Sequence, residues 1–170
     1  MNTLTNRWLV GLATLALYGA AVAADKTLVS WVCLANTTQQ GGSALTILCG
    51  RQFDGIVFGE KAAGRWMAGS ETFARTQGDQ QANAVEKADS KTQIQMAIVY
   101  AGNRISIYRN GELYASYESG SIDLLGATEN MVIFGLRHPQ AGDGESLKGS
   151  IADARIYDRA LSAADLKALG

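Results

Sequence analysis

The sequence has little of what several specialised classes of protein need. It contains two cysteines, one histidine and one proline in 170 residues, which is too little cysteine for a four-thiolate zinc site or a disulfide-dense miniprotein. Fifteen basic residues face sixteen acidic ones, a net charge of −1, so no strong field attracts polyanions and nucleic acid is not a predicted partner. A hydrophobic fraction of 47% excludes a disordered chain. What remains is an ordinary globular domain.

The longest apolar stretch lies near the N-terminus, over Trp8–Leu17. Arg7 precedes this stretch, and Ala21-Val22-Ala23 follows it with the small-x-small pattern of a cleavage site. An uncleaved membrane anchor would need about twenty apolar residues, and no later segment of the chain is apolar enough to cross a membrane. We therefore predict a signal peptide over residues 1–23, a mature domain over 24–170, and a secreted or periplasmic location.

Short apolar runs separated by turn residues fill most of the mature sequence. They predict strands over 28–35, 44–49, 55–59, 64–68, 93–100, 104–109, 112–118, 131–136 and 149–157. A capping pattern at Ser162 and Asp165 predicts a helix over 163–169. The pattern indicates an all-β fold, an antiparallel two-sheet jelly-roll sandwich with a short C-terminal helix. The polar segment 69–90 has no period and is predicted to be a long loop, either functional or decorative.

The dipeptide Asn110-Gly111 predicts a tight hairpin, because both residues tolerate the positive φ of a type I′ turn. A two-residue loop places Tyr108 opposite Leu113. The same register places Ile107 opposite Tyr114.

Several stretches resemble the laminin G-like jelly rolls of the concanavalin A-like lectin/glucanase superfamily. Tyr100–Leu113 is similar to the central hairpin of that family, and Gly149–Ser162 is similar to its closing strand and cap. Ile133-Phe134-Gly135 and Val29–Val32 resemble two of its other strands. The resemblance covers roughly residues 26–169 and implies a lectin-like module that binds a polysaccharide or oligosaccharide.

A narrower resemblance points to one kind of host enzyme. Phe53–Glu60 and Trp66–Ser70 are similar to the module that precedes the catalytic domain in some secreted bacterial β-fructosidases or levanases. This implies an adjacent catalytic domain that cleaves fructan. The family's Asn-Asp-Pro-Asn-Gly-type nucleophile motif is absent from this chain, so either the chain is a fragment of a larger enzyme or the module stands alone.

The sequence predicts that the chain itself is not an enzyme. The Glu-x-Asp-x-(x)-Glu strand motif of the superfamily's glucanases does not occur, and no Gly-x-Ser-x-Gly elbow precedes His138. The closest acidic pair, Asp143 and Glu145, lies in a glycine-rich stretch that is typical of a solvated loop. We expect an accessory carbohydrate-binding module of a glycoside hydrolase; the alternative is a structural or protein-interaction spacer that binds no sugar.

Sugar binding requires aromatic faces and planar hydrogen-bonding groups on a shallow surface. Trp66 is the best aromatic candidate, because it is flanked by Arg65 and the polar 69–90 segment; the alternative is that Trp66 covers a sheet edge. Trp31 lies mid-strand and is predicted to be core. The full set of predicted ligand-binding residues is Trp66, Arg65, Phe73, Arg75, Arg137 and His138.

Many jelly rolls of this type hold Ca²⁺, which prefers oxygen ligands such as the carboxylates and amides of loop residues. The predicted calcium ligands are Asp54, Asp123, Asn130, Asp143 and Glu145. Because the chain has no Asp-x-Asp-x-Asp-Gly loop, the alternative is that these are ordinary solvated acids.

Cys33 and Cys49 face each other if the first two strands pair across the Asn36–Gly42 loop. In an oxidising compartment this predicts a disulfide between them. The alternative is a pair of buried thiols that act as small hydrophobic side chains.

Overall fold

The computed structural model describes residues 25–120, 130–142 and 144–170; the predicted signal peptide over 1–23 lies outside them. The strands are β1 (Lys26–Leu34), β2 (Gly42–Cys49), β3 (Gln52–Phe58), β4 (Trp66–Ser70), β5 (Ile94–Ala101), β6 (Arg104–Arg109), β7 (Glu112–Glu118), β8 (Asn130–Gly135) and β9 (Gly149–Tyr157). A 3-10 turn covers Glu71–Phe73, and helix α1 spans Ala163–Ala168. Within these described ranges, no helix has the length and apolar character needed to cross a bilayer.

The strands form two antiparallel sheets, which confirms the predicted all-β sandwich with a short C-terminal helix. One sheet has five strands in the order β7-β6-β5-β1-β9, and the other has four in the order β4-β3-β2-β8. β1 and β2 lie in different sheets, and so do β4 and β5, β7 and β8, and β8 and β9. The chain therefore crosses between the layers, as it does in a jelly roll.

The main core fills the space between the two sheets. Phe58 and Trp66 are its largest fully buried side chains, and their ring centroids are 4.8 Å apart. Burying each aliphatic or aromatic side chain of this size contributes about 1.5–3 kcal/mol. The aliphatic members of the cluster include Leu28, Leu45, Ile56, Met96, Ile98 and Ile107.

A second apolar layer covers the outer face of the five-stranded sheet. Leu161 and Leu166, from the C-terminal segment, pack there with Trp31 and its strand neighbours. The predicted capping box is confirmed: the Ser162 hydroxyl accepts from the Asp165 N–H, and the Asp165 carboxylate accepts from the Ser162 N–H. The capping box thus fixes the N-terminus of α1, and the apolar face of the helix packs against the five-stranded sheet.

The Asn110-Gly111 hairpin forms as predicted, but its register does not persist. Both turn residues have positive φ, 52° and 71°, and Tyr108 pairs with Leu113. The pairing then shifts, and Ile107 pairs with Ala115 instead of Tyr114. The irregularity gives β7 an extra residue, and the Tyr114 hydroxyl reaches the edge of the other sheet, where it accepts a hydrogen bond from the Trp66 N–H.

The predicted disulfide is wrong: Cys33 and Cys49, both among the described residues, form no disulfide. The reason is topological, because β1 and β2 do not pair. Cys33 lies opposite Ser150 in the five-stranded sheet. Cys49 lies opposite Gln52 and Asn130 in the four-stranded one.

The long polar segment after β4 closes the open edge of the sandwich between the edge strands β4 and β7. The Tyr114 hydroxyl donates to the Ala84 carbonyl, and the Tyr117 hydroxyl donates to the Arg75 carbonyl. Arg65, at the start of the same edge, donates to the Asn83 carbonyl. The segment predicted as a loop is therefore part of the framework rather than decoration.

We call the polar segment that follows β4, up to residue 90, the closing segment. Glu86 is its most buried acidic residue. Its carboxylate accepts from Trp66 Nε1 at 3.0 Å and from two nitrogens of Arg109 at 2.9 Å each. Burial alone would raise the pKa of Glu86, but the hydrogen bonds from Arg109, the Ala88 N–H and Trp66 outweigh it and lower the pKa from 4.5 to about 2. The charged carboxylate therefore stabilises the fold.

We expect the Glu86 contribution to appear as a pH dependence of stability. Because its folded pKa lies below its unfolded pKa, the contribution is complete above pH 4.5 and is lost as the pH falls toward 2. The fall in the pKa corresponds to about 3 kcal/mol of stability. Urea unfolding of the Glu86→Gln variant should show a correspondingly weaker acid dependence and a lower free energy of unfolding at pH 7.

The exposed Glu112 offers a matched control, since its carboxylate lies at the surface, 3.8 Å from Lys167 Nζ. Glu112→Gln should leave both the stability at pH 7 and its acid dependence unchanged. Equal acid profiles for Glu86→Gln and the unmodified chain would contradict the assignment.

Candidate functional site

A cleft of about 400 Å³ opens on the outer side of the four-stranded sheet. Its floor contains Leu48, which alternates with the core residue Ile47 and so points away from the other sheet. The remaining walls come from the β2–β3 turn, the 3-10 turn and the loop after β8. We call this surface the loop cleft, and its lining residues are Leu48, Gly50, Arg51, Glu71, His138 and Gln140.

The loop after β8 lies back across the sheet, which brings His138 to the cleft. Thr46 Oγ1 on β2 donates to the Leu136 carbonyl at 3.2 Å. The His138 ring then contacts Phe53 on β3, with the ring centroids 5.9 Å apart. Both contacts start from side chains on the outer face of the sheet, so the imidazole is held against a fixed support.

Arg137 anchors the same loop through two carboxylates. Its guanidinium forms ion pairs with Glu60, in the β3–β4 loop, and with Glu145, farther along its own loop. The Gly142 N–H also donates to Glu145 at 2.8 Å. The Gly142 hydrogen bond, followed by that of Arg137, holds the pKa of Glu145 below its usual value.

The polar groups of the loop cleft are planar and chemically varied. Arg51 has a side chain that is 92% exposed and lies 3.6 Å from Glu71. His138 and Gln140 add an imidazole and an amide. Guanidinium, carboxylate and amide groups each form paired hydrogen bonds in one plane, which is the chemistry that recognises adjacent hydroxyls on a sugar ring.

Trp66 does not present its ring to solvent, so its prediction as an exposed sugar platform is wrong. The side chain is 0% exposed, and its indole N–H donates to Glu86. Trp66, the first residue of β4, pairs with Phe58 on β3. Both side chains point to the inner face of the sheet, toward the core. A tryptophan next to a polar segment is buried here because that segment folds over it.

Arg75 and Asp54 are also internal, which overturns their predicted roles in ligand and metal binding. Asp54 is 0% exposed, and its carboxylate accepts from Arg75 Nε at 3.1 Å. Lys26 Nζ lies 2.7 Å from the other carboxylate oxygen. The three groups form a buried ion cluster that ties β1, β3 and the closing segment together.

The remaining predicted ligand residues are distributed over the structure. Arg65 donates to the carbonyls of the Gln81 and Asn83 residues and so serves the closing segment. Phe73 is 42% exposed, with Lys61 Nζ 5.7 Å from its ring centroid. Of the six predicted residues, His138 alone lines the loop cleft.

The described residues do not assemble the predicted calcium site. Within residues 25–120, 130–142 and 144–170, no three Asp, Glu, His or Cys side chains group closely enough to hold a metal ion. The Asp54 and Glu145 carboxylates are bound to arginines instead. Asn130 begins β8, opposite Cys49, while Asp123 and Asp143 lie outside the described residues.

Three lining residues escaped the sequence analysis: Arg51, Glu71 and Gln140. Arg51 follows Gly50, whose φ of 59° marks the tight β2–β3 turn. A Gly-Arg turn tip is a signal that sequence reasoning could have used. Glu71 and Gln140 reach the cleft only through tertiary folding, and nothing local marks them.

Removing Arg75 tests the buried ion cluster. The Arg75→Met variant keeps much of the side-chain volume but leaves the Asp54 carboxylate buried without its guanidinium, which typically costs about 3–5 kcal/mol. Chemical denaturation should show this loss, while Arg104→Met, at an exposed ion pair with Glu118, should change the free energy of unfolding by less than about 1 kcal/mol. A similarly small effect of Arg75→Met would place Arg75 outside the framework.

The chain belongs to the concanavalin A-like lectin/glucanase superfamily. The sequence profile of one of its laminin G-like families matches residues 13–167. The observed pair of antiparallel sheets agrees with that membership. No curated protein matches the sequence.

Solved structures share the fold at low sequence identity. Domain 4 of AbnA, a GH43 extracellular arabinanase from Geobacillus stearothermophilus in complex with arabinotriose, is 17% identical with a TM-score of 0.66; the match covers 86% of this chain and 66% of that one. The native heptameric SAP-like pentraxin from Limulus polyphemus is 16% identical with a TM-score of 0.61, and the match covers 85% of this chain and 69% of that one. Botulinum neurotoxin type C, whose cell entry depends on two ganglioside molecules, is 12% identical with a TM-score of 0.56. That match covers 86% of this chain and 35% of the neurotoxin chain.

The chain thus spans just under two thirds of the arabinanase domain structure and about a third of the neurotoxin chain. At these sequence identities the likeness shows the fold of the described domain and does not identify a ligand.

Proposed function

We propose that this chain is a non-catalytic carbohydrate-binding module and that the loop cleft is its glycan site. The observation that carries the proposal is the cleft itself, in which Arg51, Glu71, His138 and Gln140 meet on the outside of a lectin-like sandwich. Four polar side chains of different hydrogen-bonding type suit a ligand that carries many hydroxyls. A volume of about 400 Å³ is within the usual range for small-molecule sites.

Two of the similar structures support a glycan as the ligand class. One is named as a complex with arabinotriose, and the other is described as depending on gangliosides. Both ligands are saccharides or carry them. Since the fold alone is shared, the loop cleft and not the likeness determines which sugar this chain would take.

The same proposal includes a role beside a glycoside hydrolase and export from the cell. The resemblance of Phe53–Glu60 to the module of fructan-cleaving enzymes supports the role beside a hydrolase. The apolar Trp8–Leu17 stretch followed by Ala21-Val22-Ala23 supports export. The rival function is a spacer or protein-interaction module. Glycan binding at the loop cleft distinguishes the two.

Binding without hydrolysis is the expected behaviour. Glycoside hydrolysis ordinarily needs two carboxyl groups about 5–9.5 Å apart. Among the described residues that line the loop cleft, Glu71 is the one carboxylate, and it is paired with Arg51. Release of reducing sugar from arabinan, levan or a soluble β-glucan by the purified chain would contradict the non-catalytic assignment.

Mutation of the loop cleft tests the site directly. Affinity electrophoresis and calorimetry with arabinan, levan and a soluble β-glucan should find at least one that binds. In that system, Arg51→Ala and His138→Ala should each weaken binding about tenfold, because one hydrogen bond contributes roughly 0.5–1.5 kcal/mol, and more when the donor is charged as in Arg51.

Arg104→Ala is the matched control, since Arg104 is another exposed arginine, outside the loop cleft, in a pair with Glu118. It should bind as the unmodified chain does. Binding that survives both loop-cleft variants would move the site elsewhere, and failure to bind any of the three polysaccharides would favour the spacer function.

A further inference from the structure

A second cleft, of about 420 Å³, lies on the outer face of the five-stranded sheet beside helix α1. We call it the helix cleft. Its walls come from β1, from the β5 start, from the Asn110 turn and from the C-terminal helix. The lining residues are Trp31, Gln93, Gln95, Asn110, Leu166, Lys167 and Gly170. None of them lines the loop cleft, and the two clefts open on opposite outer faces of the sandwich.

Gln95 is the most informative residue of the helix cleft. The residue is 4% exposed, and its Nε2 donates to the Leu166 carbonyl at 2.9 Å. This bond fixes which end of the amide is the donor. The Oε1 atom is buried and has no hydrogen-bond partner among the described residues. Buried acceptors are nearly always satisfied, and because Gln95 lines the helix cleft, a small movement of its amide would offer this unpaired oxygen to a ligand hydroxyl.

The neighbouring amides are pre-positioned for the same ligand chemistry. Asn110 Oδ1 accepts from the Gln95 backbone N–H at 2.8 Å, which leaves the Asn110 NH₂ group as its donor. Gln93 is exposed at the start of this wall. Acceptor and donor amides side by side match the paired donor and acceptor character of sugar hydroxyls.

The helix cleft also has an apolar wall and one positive charge. Trp31 is 9% exposed, and Arg155 lies 4.7 Å from its ring centroid. Lys167 is exposed, and its Nζ lies 3.8 Å from a carboxylate oxygen of Glu112. An indole edge beside amides and one ammonium group suits a neutral or weakly acidic saccharide better than a strongly charged or purely apolar ligand.

We propose that the helix cleft is a second saccharide-binding site, which makes the module bivalent for polysaccharides. This inference rests on the proposed function, because it assigns a second contact to the same class of ligand. Two sites on opposite faces of one small domain cannot be filled by a single short oligosaccharide. They can engage two chains, or two distant segments of one chain, and so gain avidity on a polymer.

Calorimetry with a short ligand counts the sites. Arabinotriose, a levan-derived trisaccharide and a β-glucan trisaccharide are the probes, used with the full chain. The expected stoichiometry for the probe that binds is two per chain. It should fall to one in the double variant Gln93→Ala with Lys167→Ala, and also to one in Arg51→Ala with His138→Ala.

The matched control for the helix cleft is Gln81→Ala with Lys91→Ala, since both residues are exposed and lie outside the two clefts. It should retain two sites. Each substitution is on the surface, so folding is not at risk. With the parent polysaccharide, the helix-cleft variant should bind at least fivefold more weakly than this control, because bivalent attachment is lost.

Tryptophan fluorescence gives an independent readout. Trp31 borders the helix cleft, whereas the other described tryptophan, Trp66, is enclosed between the sheets. Saturating probe should change the emission of the unmodified chain and of Arg51→Ala. The change should disappear in Trp31→Phe, and in the Gln93→Ala, Lys167→Ala double variant, which spares the indole.

The outcomes separate the two proposals. One bound probe per chain, abolished by the loop-cleft variants and unaffected by the helix-cleft variant, overturns the second site and keeps the proposed function. No binding of any probe or of its parent polysaccharide overturns both. Two sites with the helix-cleft variant reduced to one establish the bivalent module.

Discussion

Closing the open edge between β4 and β7 is the constraint on which the rest of the structure depends. A two-sheet sandwich buries its apolar core only where both layers meet, and Trp66 lies at the edge where they part. The closing segment solves this through Glu86, which accepts from the Trp66 indole and from Arg109 on the other sheet. A single carboxylate thus bridges the edge strand β4 of one sheet and strand β6 of the other. The long polar segment is used in this way, and the loop cleft that we propose as the glycan site lies instead on an outer face.

The sequence predicted the elements of the fold well because their signals are local. Strand alternation, the Asn110-Gly111 turn and the Ser162 capping box all depend on residues within a few positions of each other. Partner choice is not local. The disulfide prediction for Cys33 and Cys49 assumed that consecutive strands pair, whereas the chain crosses from one sheet to the other between them. The Tyr114 irregularity likewise depends on the other sheet's edge.

The candidate site was harder to predict for the same physical reason. Arg75 and Trp66 stand in or beside a polar segment, which is the usual pattern of an exposed surface. The segment turns inward, so both become framework residues with buried partners. His138 lines the loop cleft because its loop remains outside the sheet, and its role in ligand binding stays a prediction. The partners that give the loop cleft its chemistry, Arg51 and Glu71, come together only when the turns meet in space.

The most direct test of the account is an amide and indole NMR titration of the ¹⁵N-labelled chain with the polysaccharide that binds it best among arabinan, levan and a soluble β-glucan. The account predicts large shifts at the amides of Arg51, His138 and Gln140. It predicts no shift at the Trp66 indole or at Glu86, since both belong to the closed edge of the framework. The largest shifts at Trp66 and along the closing segment, or no shifts with any of the three polymers, would contradict it.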